Sequence, residues 1–271
     1  NIVLDYVCIF LFDWGMAGAA GATAFSGFIS ILIMLTHFLK PDCSLKFRFS
    51  DLQLFSRLKR IWQNGLPSLI AECSSGLIIL LFNIQLMSKG GVAAVTCYSI
   101  ISNVAYLFLA VYTGTSSTLQ PLCSINAGAG NIHRVKQFFR LGVITVLCAS
   151  LCFVLIGEFF PIAVVSIFTE PTPDLVEVAV YAIRIYFIAY LPMGLNIISA
   201  TFHQSLEASR EATLISLGRG LFFLVPVLFL LSSLFGVGGI WATVPVSEFL
   251  TLLLSALLLK RLFASRLSDN D

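Results

Sequence analysis

The strongest constraint on this chain is a series of apolar runs, each about twenty residues or longer, separated by short breaks that carry glycine or proline. From Gly220 to Leu259 the only charged side chain is Glu248. An α-helix crosses the hydrocarbon core of a bilayer with about 20 apolar residues. A transmembrane β-barrel would instead alternate apolar and polar residues over strands of about 10, and these unbroken runs do not. Composition agrees: 58% of the 271 residues are hydrophobic and 11% charged, against about 25% charged in a soluble domain. Mean hydropathy is +0.95. The sequence therefore predicts an all-α, polytopic helical membrane protein.

Breaks fall at Gly15 and Gly18, Pro41, Gly90-Gly91, Gly128 to Gly130, Pro171 to Pro173 and Gly236 to Gly239. They predict a partial span at 1–12 and full spans near 18–39, 62–87, 92–122, 138–168, 176–203, 213–235 and 237–260. Basic residues are distributed unevenly over the connections. Segment 40–60 holds Lys40, Lys46, Arg48, Arg57, Lys59 and Arg60, the turn at 124–140 holds Arg134, Lys136 and Arg140, the turn at 204–219 holds Arg210 and Arg219, and the tail holds Lys260, Arg261 and Arg266. The alternate connections carry Lys89 and several acids, among them Asp13, Glu158, Glu170, Asp174 and Glu177. This bias predicts that the basic side, including the C-terminus, is cytoplasmic, in a plasma (inner) membrane. The seven cysteines form no CxxC pair and no ligand set with His37, His133 and His203. They read as small apolar packers, with no metal or organic cofactor implied.

An internal repeat sharpens the plan. WGMAGAAGATAFS (14–26) and FGVGGIWATVPVS (235–247) match at a constant offset of 221, pairing Gly15 with Gly236, Gly18 with Gly239 and Ser26 with Ser247. The alternative is that glycine-rich turns simply look alike. As a true repeat, the copies are separated by six helices and keep one orientation, which is the parallel-repeat plan of several secondary transporters. The chain opens on NIVLDYVCIFLF, inside an apolar helix, and so reads as part of a longer protein. The expected organisation is the last two helices of an N-terminal lobe at 1–39, a basic inter-lobe linker at 40–61, a six-helix C-terminal lobe at 62–260 and a tail at 261–271.

Within the spans, polar residues are the candidates for function. Glu72 is a lone carboxylate in the run GLPSLIAECSSGLIILLFN (65–83). At that depth a carboxylate is costly unless paired, hydrated or protonated. It is the expected coupling residue, able to exchange a proton or cation for a charged ligand; a structural carboxylate is the alternative. Ser68, Ser75, Gly76 and Asn83 share roughly its helical face, and Pro67 is placed to let this helix bend. Ser99, Asn103, Tyr106, Thr113 and Ser117 repeat at helical spacing on the next span, as a cavity wall or as interhelical hydrogen-bonding groups. Gln120-Pro121 is expected to close that span. Asn196, Ser199 and His203 share a face of a later span, with Asn196 read as cavity-lining and His203 as a solvated cap. Arg184 and Glu248 are charges within spans with gating or packing roles. Asp5, in the first partial span, is a second possible cation-binding acid.

Four stretches, NGLPSLIAECSSGLIILLFN (64–83), GGVAAVTCYSIISNVAYLFLAVYTGTSSTLQPLCSINAGAGN (90–131), YAIRIYFIAYLPMGLNIISATFHQ (181–204) and FGVGGIWATVPVSEFL (235–250), resemble the multidrug and toxic compound extrusion (MATE) transporters. The resemblance covers essentially the whole chain. It implies twelve helices in two six-helix lobes, a monomer when complete, and export of organic cations and other drugs driven by inward H⁺ or Na⁺. It also implies a functional acid on the helix that carries Glu72. One departure stands out: the branch described as sodium-coupled bears an aspartate on the span that is 176–203 here, yet residues 181–203 contain no acid. That favours H⁺. A lipid-linked saccharide flippase of the same superfamily is the alternative transporter, expected to carry more cavity-facing basic residues. Scattered histidines argue against a membrane enzyme, and the NAGAGN turn lacks the GK[ST] of a nucleotide loop. Nothing in the sequence indicates nucleic-acid binding.

Overall fold

The computed structural model describes residues 2–36, 54–170 and 172–266. Two compact units make up the chain, residues 1–55 and 56–271. Most of the predicted linker, with His37 and Cys43, and the end of the tail lie outside the described residues.

The first unit begins with α1 (Ile2–Tyr6), which continues into a π-helical turn, Val7–Leu11. Asp13 and Gly15 then take positive φ values of 51° and 52° and reverse the chain into α2 (Gly15–Leu35). Trp14 stacks on Phe12 with centroids 5.2 Å apart, and its amide donates to the Cys8 carbonyl at 3.1 Å.

The second unit opens with α3 (Leu54–Gly128). Seventy-five helical residues would extend over about 110 Å, several times the roughly 30 Å of a bilayer core. The chain resolves this at Gly91, whose φ of 67° and ψ of −162° reverse its direction. Only glycine holds that conformation without strain, so α3 is two arms joined without a loop. α4 (Ile132–Phe159) and the short α5 (Pro161–Ser166) follow, then α6 (Pro173–Phe187) and α7 (Tyr190–Ser205). α8 (Ser209–Leu217) runs into a second π-helical turn, Gly218–Phe222. α9 (Leu224–Arg266) is again two arms, folded at Gly236 with φ 59° and ψ −132°.

The 221-residue offset carries into local geometry. Gly15 and Gly236 both take positive φ, 52° and 59°. In the helix after each, Ser26 Oγ donates to the Thr23 carbonyl at 2.9 Å and Ser247 Oγ to the Val244 carbonyl at 3.0 Å. One turn on, Ser30 and Thr251 repeat the match, donating to the carbonyls of Ser26 and Ser247 at 2.9 and 2.8 Å.

Several boundaries differ from the sequence reading. α3 runs two turns past Gln120-Pro121 to Gly128, so Pro121 lies inside the helix rather than closing it. The broad turn expected at 124–140 shrinks to 129–131, and α4 begins at Ile132. The expected span 138–168 breaks at Phe160, where φ is −128° and ψ 39°, just ahead of Pro161. Pro67 sits within an uninterrupted helical arm.

The second unit packs around aromatic side chains. Phe108 stacks on Phe153 with centroids 3.8 Å apart, and meets Phe187 and Tyr190 edge-on at 5.6 and 4.8 Å. Trp241, Tyr112, Phe82 and Phe202 are fully buried. The outside is apolar too: Leu107, Phe222, Leu253 and many other large side chains are exposed. Five described helices are long and apolar enough to cross a membrane by length and composition. Two of them, 58–128 and 209–264, are the folded double arms. The chain is a multi-pass membrane protein whose outer surface suits lipid.

Candidate functional site

The first arm of α3 is amphipathic in an unusual sense. Pro67, Ser74, Phe82 and Leu86 form its buried stripe. Glu72, Gly76 and Ser75 are exposed on the other side, and half-buried Asn83 borders an open depression of about 530 Å³ shared with Ile84, Met87, Ser88 and Val95. Among the described residues Glu72 has no hydrogen-bond or ion-pair partner. Ser75 satisfies its hydroxyl on the Ala71 carbonyl at 3.2 Å. On the second arm, Ser99, Asn103 and Tyr106 are exposed along one stripe, with Thr113 and Ser117. Ser99 and Thr113 donate back to the carbonyls of Val95 and Leu109 at 3.1 and 2.9 Å, which lets a hydroxyl sit on an apolar helix without an external partner.

A second carboxylate lies in a very different place. Glu248, on the second arm of α9, is only 4% exposed. Arg219 donates to it through Nη2 at 3.0 Å and through Nε at 3.1 and 3.2 Å to its two oxygens. Asn196 of α7 donates from Nδ2 to Glu248 Oε2 at 2.8 Å and to the Glu248 carbonyl at 2.9 Å. Ser255 completes the chain, donating to Asn196 Oδ1 at 2.8 Å. Two charges, an amide and a hydroxyl from three helical segments thus satisfy one another. A buried ion pair persists where such extra hydrogen bonds offset desolvation.

This arrangement corrects three sequence expectations. Asn196 does not line a cavity: it is fully buried because its amide is consumed by Glu248 and Ser255. Arg219 does not belong to the polar turn; it stands in the π-helical turn Gly218–Phe222, beyond the end of α8. His203 is no solvated cap, being fully buried with Nδ1 donating to the Ser199 carbonyl at 2.7 Å.

The π-helical turn also touches the Glu72 helix. A Cβ placed on Gly220 would lie 2.3 Å from Ser74 Oγ and 3.9 Å from Ser74 Cα, so only glycine permits this approach. At one end of the same arm, Gln204 donates to the Asn64 carbonyl at 2.5 Å and to Ser68 Oγ at 3.4 Å. Arg60 pairs with Glu207, and Ser209 donates to the Asn64 side chain. At the other end, Lys89 donates to the Ser232 carbonyl. The helix carrying Glu72 is therefore held at both ends and in the middle to the segment 204–232. Gln120 lines a depression of about 430 Å³ with Asn64, Gln204 and Glu207.

Arg184 is half exposed and lies 3.7 Å from Glu158, so it pairs locally and not with Glu248. In the first unit, Asp5 Oδ1 is buried without a partner among the described residues. No group of three or more His, Cys, Asp or Glu side chains among the described residues is placed to hold a metal.

The MatE family model matches residues 67–237, which is more than half of the chain. The chain belongs to the MatE family, whose members are membrane transporters and not enzymes. It is 27% identical over 277 aligned residues to the multidrug export protein MepA of Staphylococcus aureus (strain MSSA476), covering 99% of this chain and 58% of that protein. MepA of Staphylococcus haemolyticus (strain JCSC1435) is 24% identical over 252 residues, covering 92% of this chain and 54% of that protein. The chain thus spans a little over half the length of these relatives.

Solved structures give the same fold. An outward-facing multidrug resistance MATE family transporter of the MOP superfamily superposes with a TM-score of 0.87 at 19% identity, over 100% of this chain and 61% of that one. A mutant of the Vibrio cholerae MATE transporter VcmN also reaches 0.87, at 23% identity over 98% and 60%. A MOP superfamily transporter from Pyrococcus furiosus reaches 0.86 at 19% identity over 100% and 61%.

Proposed function

We propose that this chain works as part of a secondary active exporter of organic cations and other drugs, with Glu72 as the carboxylate that exchanges drug for H⁺ or Na⁺. The observation that carries this reading is the contrast in pairing. Among the described residues Glu72 is exposed and has no partner on a polar face of a membrane helix, whereas Glu248, Glu158 and Glu207 each have a basic partner. Glu72 is twelve residues from Arg60 and nineteen from Gly91, about 18 and 28 Å along the helix. That places it well away from either end. A carboxylate there binds a proton or a cationic drug but not both, and this competition is sufficient for antiport. The names of the MepA relatives, multidrug export proteins, support the same activity.

The coupling ion we favour is H⁺. Residues 181–203 hold no acid, and the one amide there that reaches a carboxylate, Asn196, is occupied by Glu248. A flippase reading gains little, since Arg184 and Arg219 are both matched by acids. The basic connections support a cytoplasmic C-terminus in a plasma-membrane protein, and a monomer is the assembly that fits this reading.

The test is efflux of a fluorescent organic cation from cells or proteoliposomes holding the full-length protein, under an imposed H⁺ gradient or an imposed Na⁺ gradient. The reading expects efflux under the H⁺ gradient and its loss in Glu72→Gln at normal membrane abundance. Parent-level efflux in that variant would overturn the role of Glu72, and efflux driven by Na⁺ alone would overturn the choice of ion.

A further inference from the structure

We infer that the depression beside Gln120 is a second ligand site, an antechamber that takes organic cations with N–H donors, such as amidinium or primary ammonium groups, before they reach Glu72. The inference rests on the exporter reading above for its class of ligand. The depression holds about 430 Å³, within the range of small-molecule sites, about 300–1,000 Å³. Three segments line it: Asn64 and Gly65 from the first arm of α3, Gln120 and Ser124 from the second arm, and Gln204 and Glu207 from the end of α7 and the turn after it. Gly65 and Glu72 are seven residues apart and both exposed. Seven residues make about two helical turns, so the two positions share a face about 10 Å apart along the axis. Ser68, also exposed, lies between them. Asn83, which lines the other depression, is eighteen residues from Gly65, about five full turns, and shares that face as well. Glu72 thus stands between two depressions along one helix face.

The chemistry of the lining selects the ligand. Gln204 commits its Nε2 to the Asn64 carbonyl at 2.5 Å and to Ser68 Oγ at 3.4 Å, which leaves its Oε1 as an acceptor. Ser124 donates its hydroxyl hydrogen to the Pro121 carbonyl at 3.2 Å, so its oxygen is left to accept. Arg60 pairs with Oε1 of Glu207, and Oε2 has no partner among the described residues. The amide of Gln120 has none among them either. Acceptors therefore predominate, and the ion pair leaves this wall without net charge. A ligand with several N–H groups satisfies those acceptors, whereas a quaternary cation of the same charge has nothing to donate. Glu207 also occupies the position past a helix end where glycine is usual, at a φ of 56°. A residue with a Cβ is strained there, yet the chain keeps a carboxylate at this wall.

The experiment titrates the fluorescent bisamidine DAPI and, separately, tetraphenylphosphonium into the purified full-length protein. Two variants alter the depression without removing a bond between helices. Gln120→Leu/Ser124→Ala takes away two acceptors, and Gly65→Leu fills space, since a Cβ on Gly65 meets nothing within 4 Å. Each is expected to lose one bound DAPI per protein and to keep tetraphenylphosphonium affinity within twofold of the parent. Unchanged DAPI binding in either folded variant, or a matching loss of tetraphenylphosphonium, would overturn the inference. Glu72→Gln separates this claim from the one it rests on: it is expected to abolish phosphonium binding and to keep the DAPI that the other variants lose. Complete loss of DAPI in Glu72→Gln overturns the separate site. Phosphonium binding that survives Glu72→Gln removes the role of Glu72, while the DAPI loss still decides the role of the depression.

Discussion

Glu72 and Glu248 lie in the same compact unit, and their surroundings could hardly differ more. Glu72 is exposed, without a partner among the described residues, on a helix face that carries Ser75, Gly76 and Asn83. Glu248 is buried and accepts from Arg219 and Asn196. The residue type does not decide the role; the partner set does. A carboxylate held by a guanidinium and an amide has its oxygens occupied, whereas one without partners is available to whichever cation arrives. The unit thus separates a charge that is available from a charge that is fixed.

The sharpest way to break this contrast is to remove the available charge. Glu72→Gln should reduce dye efflux to background, while Glu72→Asp retains part of it, as measured in energised cells at matched membrane abundance. Next in size is the fixed charge. Arg219→Ala leaves Glu248 buried without its cation, a loss of about 3–5 kcal/mol. It should appear as a fall in thermal stability of about 10 °C or more in detergent, and the neutral Arg219→Gln/Glu248→Gln double variant should recover most of it.

Two smaller effects sharpen the picture of the scaffold between the carboxylates. Gly220→Ala puts a methyl against Ser74, with an expected loss of about 1–3 kcal/mol by thermal melting. Ser74→Gly in the same protein should relieve it, since the clash is with that side chain. Tyr112→Phe removes a hydroxyl that lies 2.8 Å from Ser150 Oγ and donates to the Tyr190 carbonyl at 2.9 Å. About 1 kcal/mol should be lost with efflux within twofold of the parent, because this bond lies in the core and not on the Glu72 face.

The helical, membrane-spanning character was legible because apolar run length alone reports it, and Gly91 and Gly236 marked the reversals that the structure makes there. Glu72 stood out because a single charge in an apolar run needs no partner to be noticed. The Arg219–Glu248 pair was missed for the opposite reason. Its members are 29 residues apart, beyond any helical spacing, and SREAT before Arg219 reads as a polar turn that absorbs it. A signal was present in Gly218-Arg219-Gly220, where small residues flank a charge next to a long apolar run. Asn196 misled because face periodicity places a polar residue on a side of its helix but does not say whether that side meets a cavity or another helix. Pro121 misled because a proline inside a membrane helix is tolerated more readily than in water.

The reversals at Gly91 and Gly236 join helices with no intervening loop. Each pair of arms must therefore enter the bilayer together as one hairpin during biosynthesis, since neither arm has slack to wait for the other. The face where these hairpins turn also gives a protease, an antibody or an inserted tag little to grip.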